Sequence, residues 1–488
     1  MYIVMIASEC APVSKVGGLA DVVYGLSREL ETREQMVEII LPKYDCMRYD
    51  QIWGLHIAYQ DLWVPWGNST IHCSVWFGFV HGRKCFFIEP HSEENFFKRD
   101  NYYGYPDDAM RFAFFSKASL EFLLMANKHP DVIHCHDWQT GLVPVLLYEM
   151  YQSLHHSRVC YTIHNFRYQG ITGTHILSAT HLNRPEYYHH YDRLQDNVHP
   201  TALNFMKGGI VYSNYVTTVS PKHALEARHT DQGHGLGDTL HIHQNKFNGV
   251  LNGLDYEVWN PEIDPLIPHH YTIETLDNKY GNKEALRDRL LLRKEFKPII
   301  AYVGRLDVQK GVHMIRHGLF YSLQNGAQFV LLGNSPESSI NEEFWHLKQQ
   351  LNDNEDCHLE IGFDEELAHL IYAGADMIIM PSMYEPCGLT QLIALRYGTV
   401  PIVRTVGGLA DTIFDRDFSD KAITARNGYV FHEADYTGIE SAMQRAIGLW
   451  YNYPKDFRKL VIQGMQYNYS WHRSGQHYLD IYEHIRNK

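Results

Sequence analysis

Cysteine is sparse and scattered, with eight residues in a chain of 488 (Cys10, Cys46, Cys73, Cys85, Cys135, Cys160, Cys357 and Cys387) and no C-x-x-C pair among them. That pattern argues against a disulfide framework or a zinc ribbon and suits a reducing cytoplasm. Basic charge is in deficit too. A formal net charge of −14 gives no broad attraction to nucleic acid or to anionic lipid, both of which need a clustered basic surface. The apolar N-terminus, Met1-Tyr2-Ile3-Val4-Met5-Ile6-Ala7, is far shorter than a membrane span, and Glu9 follows with no basic leader or cleavage pattern. It reads as a first core strand in a soluble protein. Low-complexity tracts and like-charge blocks are missing, and 45% hydrophobic with 20% charged residues is an ordinary globular balance.

What is present is a repeating pattern. Short apolar runs at 2–7, 37–41, 132–135, 159–163 and 215–219 each pass through a Gly or polar turn into a helical periodicity. Near-continuous apolar strands alternating with helices indicate a parallel sheet covered on both faces. The pattern restarts with runs at 299–303, 328–332, 359–361, 377–380 and 400–403. Between the two sets, Asn260-Pro261-Glu262-Ile263-Asp264-Pro265-Leu266-Ile267-Pro268 carries three prolines and suits a linker, so the boundary is expected near residue 255. Val16-Gly17-Gly18-Leu19-Ala20-Asp21 also reappears as Val406-Gly407-Gly408-Leu409-Ala410-Asp411. Two Rossmann-like α/β halves facing one another would account for the echo. Aromatic residues reach 13%, including 33 tyrosines, which is compatible with sugar binding although core packing is their commoner use.

Four constellations carry candidate chemistry. In Ser14-Lys15-Val16-Gly17-Gly18-Leu19 the glycines allow close backbone approach and a following helix would offer free N–H groups to an anion, with Lys15 adding full charge. The loop fits neither Walker A nor G-x-G-x-x-G, and a plain strand-to-helix turn is the competing reading. Gly304-Arg305-Leu306-Asp307-Val308-Gln309-Lys310-Gly311 follows an apolar strand, where loops open onto the ligand crevice, so Arg305 and Lys310 could clamp a diphosphate. In Pro381-Ser382-Met383-Tyr384-Glu385-Pro386-Cys387-Gly388-Leu389-Thr390, backbone N–H groups at Gly388, Leu389 and Thr390 would form a second anion site, and Glu385 could accept from sugar hydroxyls. Finally, His134 and His136 share one strand face, with Asp137 as a would-be third metal ligand. No second His/Cys pair at ligand spacing supports a metal, so hydrogen-bonded core histidines are expected. A Ser-His-Asp triad lacks its G-x-S-x-G.

Taken in order, Lys15-Val16-Gly17-Gly18-Leu19-Ala20-Asp21, His136-Asp137-Trp138, His164-Asn165, Asn204-Phe205-Met206-Lys207-Gly208-Gly209, Thr217-Thr218-Val219-Ser220-Pro221, the segment from Asn252 to Pro261, the Arg305 loop and the Glu385 loop resemble the bacterial glycogen synthase and plant starch synthase family. The set spans nearly the whole chain. The resemblance implies a GT-B fold with domains 1–255 and 256–470, a final segment 471–488 crossing back to the first, and a deep interdomain cleft. It implies glucose transfer from ADP-glucose to the non-reducing 4-hydroxyl of an α-1,4-glucan with retention, without metal or PLP, and it assigns no oligomeric state. By position Lys15, Arg305 and Lys310 would carry the diphosphate, with Gly17, Gly18, Cys387, Gly388, Leu389 and Thr390 around the donor. Glu385 would bind glucose hydroxyls, and His164 would sit by the glucose with its carbonyl near the anomeric centre. Glu9, Asp21, Asp137, Asn165 and Asn252 match positions lining the sugar and acceptor region.

Phe166-Arg167-Tyr168-Gln169-Gly170 departs from some family members and bears on acceptor contacts. The chain shows no long N-terminal extension or carbohydrate-binding module, which favours a bacterial-type or catalytic-core protein. A UDP-glucose-dependent relative, a PLP-dependent glucan phosphorylase and a non-catalytic glucan binder remain the alternatives.

Overall fold

The computed structural model describes residues 1–488. Its N-terminal apolar run forms β1 (Tyr2–Ile6), which pairs in parallel with β2 (Met36–Pro42) and with β6 (Val132–His136). Ile3, Val4, Met5 and Ile6 are completely buried, because crossover helices cover both faces of a parallel sheet and leave a central strand no solvent face. The same sheet takes in β3 (Ile52–Trp66), β4 (Ser69–Val80), β5 (Arg83–Pro90), β7 (Arg158–Ile163), β10 (Tyr215–Thr218) and β11 (Phe247–Gly249), in the order β11-β10-β7-β6-β1-β2-β5-β4-β3. A two-stranded ribbon of β8 (Ile171–Thr172) and β9 (Leu203–Asn204) stands apart from it.

Strands β3, β4 and β5 form antiparallel hairpins that the apolar-run pattern does not anticipate. The reason is local. Register shifts between Trp53 and His56, Ile57 and Tyr59, and Tyr59 and Leu62 break the two-residue alternation that would mark a half-buried strand.

A second sheet is parallel throughout: β12 (Ile299–Val303), β13 (Gln328–Gly333), β14 (Cys357–Ile361), β15 (Met377–Met380), β16 (Val400–Arg404) and β17 (Tyr429–Phe431), ordered β14-β13-β12-β15-β16-β17. The chain divides into one unit of Met1–Gly253 with Trp471–Lys488 and another of Leu254–Ser470. In the first, the C-terminal helix Trp471–Arg486 seats Trp471 against Gly25, where a Cβ would collide with the indole, and the Tyr482 hydroxyl lies 2.7 Å from His134 Nδ1.

The proline-bearing segment 260–268 is not a loose linker. Asp264 is buried and accepts from the Tyr397 hydroxyl at 2.6 Å, with His369 Nδ1 2.7 Å from the same oxygen, and neighbouring Trp259 stacks on the His369 ring at 4.0 Å. Proline blocks strand pairing but not side-chain packing, so this segment joins the core of the second unit. No helix is long and apolar enough to cross a membrane.

Candidate active site

In the second unit the chain leaves β12 toward β13 and β14 on one side, then returns to lay β15, β16 and β17 on the other. The strand order therefore reverses between β12 and β15, and the crevice outside the strand ends at such a reversal is where open α/β sheets bind ligands. The two loops that emerge there carry Arg305 with Lys310, and Glu385. Lys310 Nζ lies 2.5 Å from Glu385 Oε2, and the Ser382 hydroxyl donates to the same oxygen at 2.9 Å. Glu385 is buried, so its charge rests on these two donors. Arg305 is 54% exposed and paired with Asp307 at 3.3 Å, its backbone carbonyl held by the Tyr302 hydroxyl. Asp307 also caps the following turn by accepting from the Lys310 N–H at 2.9 Å.

The Glu385 loop leads into the helix Thr390–Arg396, which brings the N–H groups of Gly388, Leu389 and Thr390 to its N-terminal end. Gly388 has φ +76°, a conformation that suits glycine. Cys387 is buried beneath, its carbonyl accepting from Gln391 Nε2 at 2.9 Å. At the end of β14, Phe363 projects 87% exposed on the same edge of strand ends, an apolar ring with no packing use for its exposure.

The first unit repeats the arrangement. Its strand order reverses between β1 and β6, and the loops after those strands hold Glu9 with Lys15, and Asp137. Glu9 is buried and accepts from the Val16 and Gly17 N–H groups at 2.7 and 3.1 Å and from the Tyr103 hydroxyl at 2.6 Å. Burial raises its pKa above the ordinary carboxylate range despite those three donors. Lys15 is 51% exposed and pairs with Asp21 at 2.7 Å. Added Cβ atoms on Gly17 or Gly18 would meet nothing, so these glycines leave open space.

Asp137 sits at the end of β6 with φ +57°, a strained conformation for a residue with a side chain. Its carboxylate accepts from the His164 N–H at 2.7 Å and from that of Asn165 at 3.4 Å, fixing the backbone after β7. Burial pushes Asp137 up to about 7, and the nearby Glu9 charge adds to the shift. His164 Nε2 lies 3.1 Å from His136 Nδ1, and burial holds His164 down at about 3, so the ring is neutral at physiological pH. His134 is a hydrogen-bonded core residue, with Nε2 2.7 Å from the Thr162 hydroxyl and Nδ1 engaged by Tyr482. No three His, Cys, Asp or Glu side chains are arranged to hold a metal ion. Asn252 has a buried Oδ1 that no donor reaches.

No role follows from the sequence for Tyr103 or Phe363, nor for Ser382 within the Glu385 constellation. Tyr103 acts on Glu9, ninety-odd positions earlier, Ser382 acts within its own loop on Glu385, and Phe363 is marked only by its exposure.

Two Rossmann-like sheets, each with polar loops at its reversal point, are the parts of a GT-B fold, and the relatives of this chain make it a glycosyltransferase. Residues 282–460 match the model for glycosyl transferases group 1 and residues 2–242 that for the starch synthase catalytic domain. The chain is 64% identical to Glycogen synthase 2 of Methylococcus capsulatus over 99% of this chain and 100% of that one, and 65% identical to Glycogen synthase 1 of Synechococcus sp. (strain JA-3-3Ab) over 100% of both. The catalytic domain of Starch Synthase IV from Arabidopsis thaliana, solved bound to ADP and acarbose, matches with a TM-score of 0.96 and 42% identity over 100% of this chain and 99% of that one. Sucrose-phosphate synthase from Thermosynechococcus elongatus, at 17% identity and a TM-score of 0.61, shares the fold. The chain belongs to the bacterial glycogen synthase and starch synthase family.

Proposed function

We propose that this protein transfers glucose from ADP-glucose to the non-reducing 4-hydroxyl of an α-1,4-glucan with retention, in the cytoplasm and without a metal or PLP. The observation that carries the reading is the Lys310–Glu385 pair at the strand reversal of the second unit. An incoming diphosphate draws Lys310 away from Glu385, and the freed carboxylate accepts from glucose hydroxyls. Breaking the bond from C1 to the phosphate oxygen sends its electron pair to ADP and leaves positive charge on the sugar. Arg305 and Lys310 then stabilise the transition state more than the ground state, because the negative charge they face grows as the bond breaks. Lys15 adds a further cation to the diphosphate, beside the open approach at Gly17 and Gly18. The acceptor oxygen bonds C1 from the same face and its proton passes to the departing phosphate oxygen.

Phe363 offers an exposed ring for stacking on the adenine. Glu9, Asp21, Asp137, Asn165 and Asn252 line the sugar and acceptor region, with the His164 carbonyl beside the anomeric carbon. Glu385 is a hydroxyl acceptor and not a nucleophile, unlike the paired carboxylates about 5 Å apart of retaining hydrolases. The cytoplasmic setting is supported by eight cysteines that are all free thiols, seven of them buried.

The test is ADP release from ADP-glucose, compared with UDP release from UDP-glucose, on glycogen and several maltooligosaccharides. Preference for ADP-glucose with chain elongation is expected. Stronger turnover of UDP-glucose, or glucan binding without release, would overturn the reading, as would a glucosyl adduct on Glu385 detected by mass spectrometry. Lys310→Ala should slow turnover by about 10²–10³-fold while glucan affinity holds.

A further inference from the structure

The loop that carries Glu385 is held from outside at every carbonyl in 382–388. Gln309 Nε2 donates to the Tyr384 carbonyl at 3.3 Å, the Gly408 N–H to those of Glu385 and Pro386 at 3.1 Å each, and Gln391 Nε2 to those of Cys387 and Gly388 at 2.9 and 3.0 Å. The remaining two belong to one side chain. Arg404, the last residue of β16, donates from one terminal nitrogen to the Ser382 carbonyl at 3.3 Å and to the Met383 carbonyl at 3.2 Å, while its Nε donates to the His432 carbonyl at 3.3 Å. It is the only charged group among these holders, and no carboxylate pairs with it. One of its two carbonyls belongs to Ser382 itself, whose hydroxyl fixes Glu385 Oε2.

We infer that Arg404 is a positioning residue for glucosyl transfer, aiming Glu385 by fixing the Ser382 and Met383 backbone. A guanidinium suits the task because its planar fork presents several donors in fixed geometry, which an ammonium on a flexible stem cannot match. The consequence is selective. Lys310 and Arg305 rise from the loop after β12, which keeps its own bonds from Gln309 to the Met383 and Tyr384 backbone, so loss of Arg404 disturbs the glucose end of the donor more than the diphosphate end. Displacement of a group by about an ångström from its working position is enough to cost on the order of 10²-fold in rate.

This inference rests on the proposed ADP-glucose reaction, and the experiment separates the two. If the unaltered protein fails to transfer glucose from ADP-glucose, that reading falls. If it transfers, Arg404→Ala is expected to lower kcat by about 10²-fold with ADP affinity by calorimetry unchanged within about twofold. Arg404→Lys should recover part of the loss. In an Glu385→Ala background, Arg404→Ala should cost nothing further, because both substitutions act on one group. An equal loss of ADP affinity, an undiminished cost in the Glu385→Ala background, or wild-type kcat in folded Arg404→Ala would overturn the assignment. Should Arg404→Ala not fold, Arg404→Lys decides alone: a lowered kcat with intact ADP affinity supports the role, and an unchanged kcat or weakened ADP binding rejects it.

Discussion

At Val16-Gly17-Gly18-Leu19-Ala20-Asp21 the loop stands open: Val16 is 60% exposed, and side chains built on Gly17 and Gly18 would meet only space. At Val406-Gly407-Gly408-Leu409-Ala410-Asp411 the first four of the same six residues are buried, with Val406 at 2% exposure and Cβ atoms on Gly407 and Gly408 colliding with the Glu385 and Cys387 backbone. Each segment leads into a helix, Gly18–Thr32 or Gly407–Thr412. One pair of glycines leaves room; the other lets two backbones touch. The same string thus leaves open space in one unit and packs against the backbone of the Glu385 loop in the other.

Substitution of Gly407 tests that contrast most severely. Gly407→Ala places a methyl group against the Glu385 carbonyl at φ +47°, and is expected to reduce transfer by about 10²-fold and stability by about 1–3 kcal/mol, measured by steady-state kinetics and denaturant unfolding. Wild-type stability in that variant would erase the difference between the loops. Lys15→Ala should lower kcat/KM for ADP-glucose by about tenfold, the worth of one charge-assisted contact, with no change in Tm because its ion pair with Asp21 is solvent-exposed. A Tm loss would mean that the open loop is structural after all.

Asp137 sharpens the comparison through pH. Its folded pKa of about 7 lies above that of an unfolded aspartate, so the folded chain binds the extra proton and Asp137 removes stability as pH rises from the ordinary carboxylate range to about 7. Asp137→Asn keeps an acceptor for the His164 and Asn165 N–H groups, and should raise Tm by a few degrees at pH 8 with the gain vanishing below pH 4. Melting curves across pH decide it, and a constant offset would reject the burial argument. The smallest effect belongs to Gly17→Ala, which is expected to stay within about 0.5 kcal/mol of wild type by denaturant titration, while ADP-glucose binding weakens if the space is used.

Much of the fold was legible because parallel strands buried on both faces, such as Ile299–Val303, write continuous apolar runs into the sequence. The hairpins of Ile52–Trp66 and Ser69–Val80 were not, since their bulges interrupt the alternation that antiparallel strands leave. Among the site residues, Lys15, Arg305 and Glu385 could be picked out by their place between an apolar run and a helix. Arg404 stands in the same kind of place, after the run 400–403 and before the helix Gly407–Thr412, but its use lies in carbonyls twenty-odd positions earlier that no local pattern reveals.

By itself the sequence determined the α/β alternation, the glycine loops and the charged residues beside them, because these follow from local periodicity and backbone freedom. Only the tertiary structure decided which strand ends meet. The adjacency of β12 and β15 brings Lys310 to Glu385, and that of β1 and β6 sets Glu9 near Asp137. Strand order is a property of how crossovers pack the whole sheet, and no local stretch of chain encodes it. For the same reason two identical hexapeptides could become an open loop in one unit and a close backbone contact in the other.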